Sequence, residues 1–469
     1  MNESIKLKPI IGAITGLLAM VIIGFVLPAP EGLTASSMIV LGTLVCAVIY
    51  WIFNVMPDFV VGLLMCATWV VFKVVEFPVA FAQFANTNWW MVIGALGIGI
   101  AVSETGLMKR VALHTMKFFP KNFKGQSLAV FLAGIIVSPM IPSTNAKGSI
   151  AAPLSLSISD TMGYQHKSKA SAGMFMSMFY GFVCASPIFL SATFMNYVGR
   201  GLIEGQMSSV ITWGSWFIYA LPWALVFLVL SYFAIQFFYK PEKEVQLPSD
   251  FISNQLLDLG KMSRQETITA LVLIATLIFW MLERVTGVSS TIVSLIALSI
   301  LLGLKVISVP QFKNGIPWNA ILFIGFALNL GVVLPAVGVD KWISSSLSGV
   351  LQPVLGNPYL LIIVLTLMIY AARFLLVSLT AAVTMFVLMV LPLITSSSVS
   401  PFVIVFVTIT SVNIWLLKYQ NPPFLTTYYA INGEMADDKQ IRLGAMIYMV
   451  INLIGLLVSI PFWHLMGLL

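Results

Sequence analysis

A short polar stretch, MIPSTNAKGSIAAPL at 140–154, interrupts one of the most apolar parts of the chain. It places two hydroxyl residues, an amide and a lysine between apolar flanks, directly after a proline. Hydroxyl and amide groups can hydrogen-bond an anion, and a lysine can neutralise it. Because polar groups buried without partners cost several kcal/mol each, the stretch raises the question of which elements position these groups and for what ligand.

The composition indicates a helical membrane protein. Of the 469 residues, 59% are hydrophobic and only 9% are charged, whereas a soluble domain carries about 25% charged residues. Apolar runs of bilayer-spanning length recur from end to end, and they lack the alternation of apolar and polar residues that membrane strands require. We expect an all-α polytopic membrane protein with about 11 transmembrane helices and two re-entrant hairpins.

The basic residues predict the orientation in the membrane. With the N-terminus in the cytoplasm and the C-terminus outside, 17 of the 24 Lys and Arg residues lie in inward-facing loops and 4 in outward-facing loops, as the positive-inside rule requires. The remaining three are Lys147, Arg373 and Lys418, which lie within or beside apolar segments. For Arg373 and Lys418 two positions remain possible, one in a binding site and one at the protein surface. The net charge of +7 reflects these dispersed loops, so we expect no nucleic-acid partner. The first apolar segment is interpreted as a retained helix of a plasma-membrane or inner-membrane protein, because it lacks a convincing cleavage site.

The two halves of the chain share an ordered set of features. Trp90, Gly106, Ser143 and TFMN at 193–196 match Trp318, Gly338, Ser378 and NPPF at 421–424, in the same order. The separation between partners is nearly constant and close to half the length of the chain. Each match is weak alone, but a nearly constant separation in all of these pairs indicates a duplication.

This duplication predicts the domain organisation. The first half is 1–238, the polar stretch 239–266 is a cytoplasmic linker, and the second half is 267–469. The apolar stretches at about 126–160 and 358–395 are each broken midway by polar residues, so we expect hairpins that open inward and outward respectively. Interrupted segments at matching positions of inverted halves predict a binding site at the membrane midplane.

The polar residues of these interruptions are the candidate ligand contacts. The first hairpin tip contributes Ser143, Thr144, Asn145 and Lys147, the second contributes Ser378, Leu379 and Thr380, and the broken helices behind them contribute Thr193, Asn196, Pro422 and Pro423. A single hydroxyl group more often bonds back to its own helix or to a neighbouring helix. The matching positions of the two triplets nevertheless favour a site.

The charges beside these interruptions are positive. Asp58, Asp160 and Glu204 lie at the ends of apolar segments, whereas a cation or proton carrier usually keeps carboxylates at membrane depth. Lys147 lies two residues beyond Asn145, poorly placed to extend to an interface. Helix N-termini at the tips add N–H donors and positive dipole ends, so we expect the site to bind an anion.

These residues resemble the divalent anion/sodium symporter family of di- and tricarboxylate transporters. The resemblance covers nearly the whole chain, including the C-terminal IRLGAMIYMVINLIGLLVSIPFW, and the family pattern is a Ser-Asn-Thr triplet at each hairpin tip with Pro-Pro-Asn-like breaks in the helices that follow. The resemblance implies that the tips hold carboxylates and that triplets and breaks frame two sodium sites. It also implies a homodimer in which a transport domain moves like an elevator against a scaffold domain.

The chain departs from the family pattern where sodium would bind. The first triplet reads Ser-Thr-Asn, and the second contains Leu379, which supplies no amide oxygen. The break at 193–196 keeps only the asparagine, and the break at 421–424 loses the terminal asparagine. Lys147 follows the first tip, where the exchanger-like branch has an arginine in SNTAR, and an ammonium can take the electrostatic place of a bound cation.

The leading interpretation is therefore a sodium-independent exchanger of C4–C5 dicarboxylates such as malate, succinate, fumarate or 2-oxoglutarate. Sodium-coupled symport of the same anions is the alternative, and an anion channel fits less well because paired re-entrant hairpins suit alternating access. The three histidines, His114, His166 and His464, form no catalytic set with paired acids. We expect no enzyme activity, no metal site and no cofactor.

Overall fold

The computed structural model describes residues 3–204, 211–394 and 397–469, and within these ranges it contains helices and no strands. Eight helical segments of the described residues, some of them an α-helix with an adjoining 3₁₀ or π turn, are at least 18 residues long and apolar enough to cross a membrane, and a pair bent by 68° makes a ninth. Side chains such as Leu17 and Phe233 stay more than half exposed on these helices, as contact with lipid requires. The composition-based prediction of an all-α multi-pass membrane protein is therefore confirmed.

The described residues before the linker form eleven α-helices. They are α1 (Glu3–Val21), α2 (Ala35–Phe53), α3 (Asp58–Val71), α4 (Phe77–Ala80), α5 (Thr87–Glu104), α6 (Leu107–Met116), α7 (Phe123–Val137), α8 (Thr144–Thr161), α9 (Lys169–Phe179), α10 (Phe194–Ile203) and α11 (Trp213–Phe238). The bent pair is α5 and α6, where Gly106 takes a positive φ of 80° that permits the turn.

The described residues from the linker onward form twelve more α-helices. They are α12 (Phe251–Asp258), α13 (Arg264–Met281), α14 (Glu283–Thr286), α15 (Ser290–Gly303), α16 (Val309–Gly315), α17 (Trp318–Ala336), α18 (Val339–Leu355), α19 (Pro358–Ala372), α20 (Leu379–Ile394), α21 (Pro401–Val412), α22 (Pro422–Tyr429) and α23 (Asp438–Leu465). Five of the apolar helices are only 10–17 residues long. The expected count of about 11 crossings stays a prediction, because helices this short do not span a bilayer unaided.

The helix α13 begins within the last residues of the predicted linker 239–266. The Ser263 hydroxyl accepts a hydrogen bond from the Glu266 N–H at 3.0 Å and caps α13, which therefore begins at Arg264. The Glu266 carboxylate in turn pairs with Arg110 on α6. This capped and paired start fixes the linker to the first half.

The order of the helices repeats along the chain. The helices α7, α8, α9 and α10 begin at Phe123, Thr144, Lys169 and Phe194, and their counterparts α19, α20, α21 and α22 begin at Pro358, Leu379, Pro401 and Pro422. In each set a helical hairpin is followed by a helix that breaks and restarts. The element order thus follows the repeat read from the sequence, while the inverted orientation of the halves in the membrane stays a prediction.

Each hairpin packs against the broken helix of the other half. In the first half α8 contacts α22, and Gly148 lies so close to Thr427 that a side-chain carbon there would overlap the threonine hydroxyl. In the second half α20 contacts α10. This exchange of partners brings both hairpin tips and both helix breaks to one place.

Candidate functional site

The two hairpin tips have the same local construction. The Ser143 hydroxyl accepts from the Ala146 N–H at 3.2 Å, and the Ser378 hydroxyl accepts from the Ala381 N–H at 3.2 Å. Serine is a favoured N-cap because its oxygen satisfies an N–H group that the first turn leaves free. Each tip is therefore the capped N-terminus of an apolar helix, and its free N–H groups and positive dipole end face the break.

The two helix breaks are also capped at matching positions. The Thr193 hydroxyl accepts from the Met195 N–H at 3.3 Å and begins α10, and the Asn421 side chain accepts from the Phe424 N–H at 3.0 Å and begins α22. Pro422 and Pro423 occupy the first turn of α22, where a missing N–H costs nothing. The prolines thus start a new helix instead of kinking a continuous one.

A cavity of about 290 Å³ lies where the tips and breaks meet. Eight of the predicted site residues line it: Thr144, Asn145, Thr193, Ser378, Leu379, Thr380, Pro422 and Pro423. Asn54, Asn413 and Ser186 add further polar groups to the wall. The structure thus brings together residues that belong to opposite halves of the chain.

Three predicted residues do not line this cavity, and each makes hydrogen bonds elsewhere in the protein. Ser143 lies behind the tip as the cap of α8. The Asn196 amide is buried and donates to the carbonyls of Phe189 at 2.8 Å and Ser186 at 3.3 Å, so it holds the helix break together. The third residue is Lys147.

Lys147 is fully buried behind the first tip. Its Nζ donates to the Ser138 hydroxyl at 3.1 Å, the Ser186 hydroxyl at 2.8 Å and the Ala192 carbonyl at 2.8 Å. An ammonium has three N–H groups, and here all three have an oxygen acceptor, none of which is a carboxylate. Lys147 therefore has no N–H group left to donate into the cavity.

Arg373 is a second buried cation, and it belongs to the second hairpin. Its Nε donates to the Val412 carbonyl at 3.0 Å, and its terminal nitrogens donate to the carbonyls of Leu376 and Gln420. Gln420 directly precedes the cap of the second break, just as Ala192 directly precedes the cap of the first. The two cations thus bond to matching carbonyls, and Arg373 is buried behind the second tip and not at the surface.

Lys418 is a surface residue by contrast. Its partly exposed ammonium pairs with Asp438 at 2.5 Å and lies 4.5 Å from the centre of the Tyr428 ring. These contacts occupy Lys418 without directing it into the cavity.

Asp58, which was not among the predicted site residues, also lines the cavity. Its Oδ2 accepts a hydrogen bond from the Ser378 hydroxyl at 2.6 Å. Asp58 is the first residue of α3, so it does lie at the end of an apolar segment, and this helix begins beside the second tip. Its signal in the sequence is NVMPDF at 54–59, a polar interruption like those that mark the other breaks.

Comparison with known proteins gives the family. The family of the sodium:sulfate symporter transmembrane region matches residues 9–469. The chain belongs to this family. The family match agrees with the resemblance drawn from the hairpin tips and helix breaks.

Relatives within this family include named carboxylate transporters. The putative malate transporter YflS of Bacillus subtilis is 25% identical over 353 residues, which cover 74% of this chain and 73% of that protein. The chloroplastic dicarboxylate transporter 1 of Arabidopsis thaliana is 25% identical over 344 residues, which cover 71% of this chain and 62% of that protein.

Two solved structures share the fold at low sequence identity. The MtrF protein of Neisseria gonorrhoeae, described as one of a class of antimetabolite efflux pumps, has a TM-score of 0.61 at 14% identity, with 99% of this chain and 95% of that chain covered. The YdaH transporter of Alcanivorax borkumensis has a TM-score of 0.57 at 13% identity, with 83% of this chain and 88% of that chain covered. At this identity the likenesses show the fold alone.

Proposed function

We propose that the chain exchanges C4–C5 dicarboxylates across the membrane without sodium. The observation that carries the proposal is the pair of buried cations, Lys147 and Arg373, one behind each hairpin tip. Malate, succinate, fumarate and 2-oxoglutarate are the expected substrates.

The substrate class is supported by the form of the cavity. It is small, at about 290 Å³, and it has a capped helix N-terminus at two sides. One carboxylate of the substrate would bind Thr144 and Asn145 at the first tip, and the other would bind Ser378 and Thr380 at the second. Helix N-termini favour anions through free N–H groups and the helix dipole. The named malate and dicarboxylate transporters among the relatives support the same class.

The bonding of Lys147 does not favour a sodium ion at the first tip. Hard cations are bound in proteins by oxygen ligands, and the oxygens of Ser138, Ser186 and Ala192 already accept hydrogen bonds from the ammonium. A sodium ion added there would compete for the same oxygens and face a like charge.

The second tip disfavours sodium for similar reasons. Leu379 replaces the amide that the family pattern supplies, and the carbonyls of Leu376, Val412 and Gln420 accept from Arg373. The guanidinium is always charged, so the second half carries a permanent positive charge at the place where the resemblance implies a bound sodium ion.

Exchange follows from the balance of charge. Lys147 and Arg373 together provide two positive charges, and a dicarboxylate dianion provides two negative ones. Buried charge without a counter-charge is costly, so the loaded carrier should reorient more readily than the empty one.

The proposal includes the elevator movement of a transport domain, the inverted repeat, the homodimer and a cytoplasmic N-terminus.

The test is uptake of radiolabelled succinate into proteoliposomes, with sodium or choline as the external cation. Vesicles preloaded with succinate should take up label at the same rate in either salt. Sodium-dependent uptake into empty vesicles would overturn the proposal in favour of symport, and single-channel current would indicate a channel.

A further inference from the structure

We infer that Asp58 is a built-in competitor of the substrate, holding the carboxylate position of the second hairpin tip when no dicarboxylate is bound. The inference rests on the proposed function, because it assigns a competitor to the same site. Asp58 is not part of the repeated hairpins and helix breaks, and its carboxylate has no role in the proposed function.

The contact between Asp58 and Ser378 has the geometry of a charge-assisted hydrogen bond. The hydroxyl oxygen of Ser378 lies 2.6 Å from Oδ2 of Asp58, within the range of O–H donors to carboxylates. The same hydroxyl oxygen accepts from the Ala381 N–H at 3.2 Å. A serine hydroxyl has a single hydrogen to donate, so this donor is committed to Asp58.

A substrate carboxylate at the second tip would need that donor. Asp58 lies in the wall of the same cavity as Thr380, and its carboxylate is chemically equivalent to one end of a dicarboxylate. The positive groups of the tip attract either one, since α20 begins there and Arg373 Nη1 lies 3.5 Å from the Ser378 carbonyl. Two anions at one tip also repel each other, so substrate and Asp58 exclude each other.

The hydrogen bond joins the hairpin to a separate part of the protein. Asp58 is the first residue of α3, which packs on α2 and α17. In the substrate-free protein the bond therefore holds the second tip against these helices. Binding of a dicarboxylate replaces Asp58 at the Ser378 hydroxyl and releases the tip.

The first measurement is calorimetric binding of succinate to purified full-length variants. Asp58→Ala should lower the Kd for succinate about tenfold, because a charge-assisted hydrogen bond no longer has to be broken. Asp58→Asn keeps the size and a neutral acceptor, so its Kd should lie between those of Asp58→Ala and the wild type. Glu76→Ala is the control, since Glu76 is an exposed acid just beyond the same helix; its Kd should equal that of the wild type. A Kd for Asp58→Ala equal to or above that of the wild type would overturn the inference.

The second measurement uses thermal unfolding with and without substrate. A double-mutant cycle of Asp58→Ala and Ser378→Ala should be non-additive without succinate and additive when succinate is saturating. If the protein binds succinate but the losses of melting temperature add without succinate, only the inference about Asp58 is overturned. Failure of every variant and of the wild type to bind any C4–C5 dicarboxylate would overturn the proposed function, and the competition with it.

Discussion

The two hairpin tips share one backbone design but are charged in different ways. Both begin an apolar helix at a serine cap. The first tip has its cation after the cap, on α8, and the ammonium bonds mainly to hydroxyl groups. The second has its cation before the cap, at the end of α19, and the guanidinium bonds to backbone carbonyls. The repeat thus keeps the helix starts and the charge of each tip, while the residue that provides the charge differs.

The largest effect is expected at the first tip. Lys147→Ala removes one of the two fixed charges and leaves the oxygens around it without a donor, so succinate exchange should be abolished. Lys418→Ala is the matched control, because it removes a surface lysine of the same charge, and it should retain most of the exchange. Counterflow of labelled succinate measures both. If Lys147→Ala exchanged succinate at the rate of the wild type, the positive charge at the first tip would be dispensable.

A charge-preserving change tests the second tip. Arg373→Lys keeps the charge but leaves some of the carbonyls of Leu376, Val412 and Gln420 unpaired, at roughly 1–3 kcal/mol for each buried group. We expect a lower melting temperature and exchange reduced about tenfold, without any sodium requirement. Exchange that becomes sodium-dependent in this variant would instead mean that the guanidinium geometry excludes the ion.

Replacing the serine caps should have a smaller effect, and it compares the two tips directly. Ser143→Ala removes only an N-cap, which should lower the free energy of unfolding by about 1 kcal/mol. Ser378→Ala removes an N-cap and also the donor to Asp58, so its free energy of unfolding should fall further. Only Ser378→Ala also removes the donor to Asp58 and to the substrate, so only this variant should lose succinate affinity. Denaturant unfolding and calorimetry separate the two effects, and equal losses of affinity would contradict the assignment of Ser143 as a cap alone.

The smallest effect is expected when the family residue is restored at the second tip. Leu379→Asn adds an amide beside the cavity but leaves Arg373 in place. We expect exchange without sodium dependence, since the carbonyls around Arg373 remain occupied. Stimulation by sodium in this variant, compared with Leu379→Met as a control of similar size, would show that the leucine alone prevents ion binding.

The sequence predicts the fold and eight of the residues in the cavity wall, because polar interruptions of apolar segments are visible without coordinates. The nearly constant separation of matching features identified both tips and both breaks, and Thr144, Thr193 and Thr380 line one cavity. The enclosure of Lys147 behind the first tip could not be predicted, because spacing gives the height of a side chain on a helix but not the acceptors that enclose it. Asp58 was missed because a residue at the start of an apolar segment is normally at a surface, and only the packing of α3 places it at the tip.

The most direct test of the account is efflux of labelled succinate from proteoliposomes in sodium-free choline medium, with and without unlabelled succinate outside. Because the empty carrier keeps Lys147 and Arg373 without a dianion, the account predicts rapid efflux only when external succinate is present. Equal efflux in its absence would show that the empty carrier reorients freely, and it would contradict obligatory exchange driven by two fixed cations.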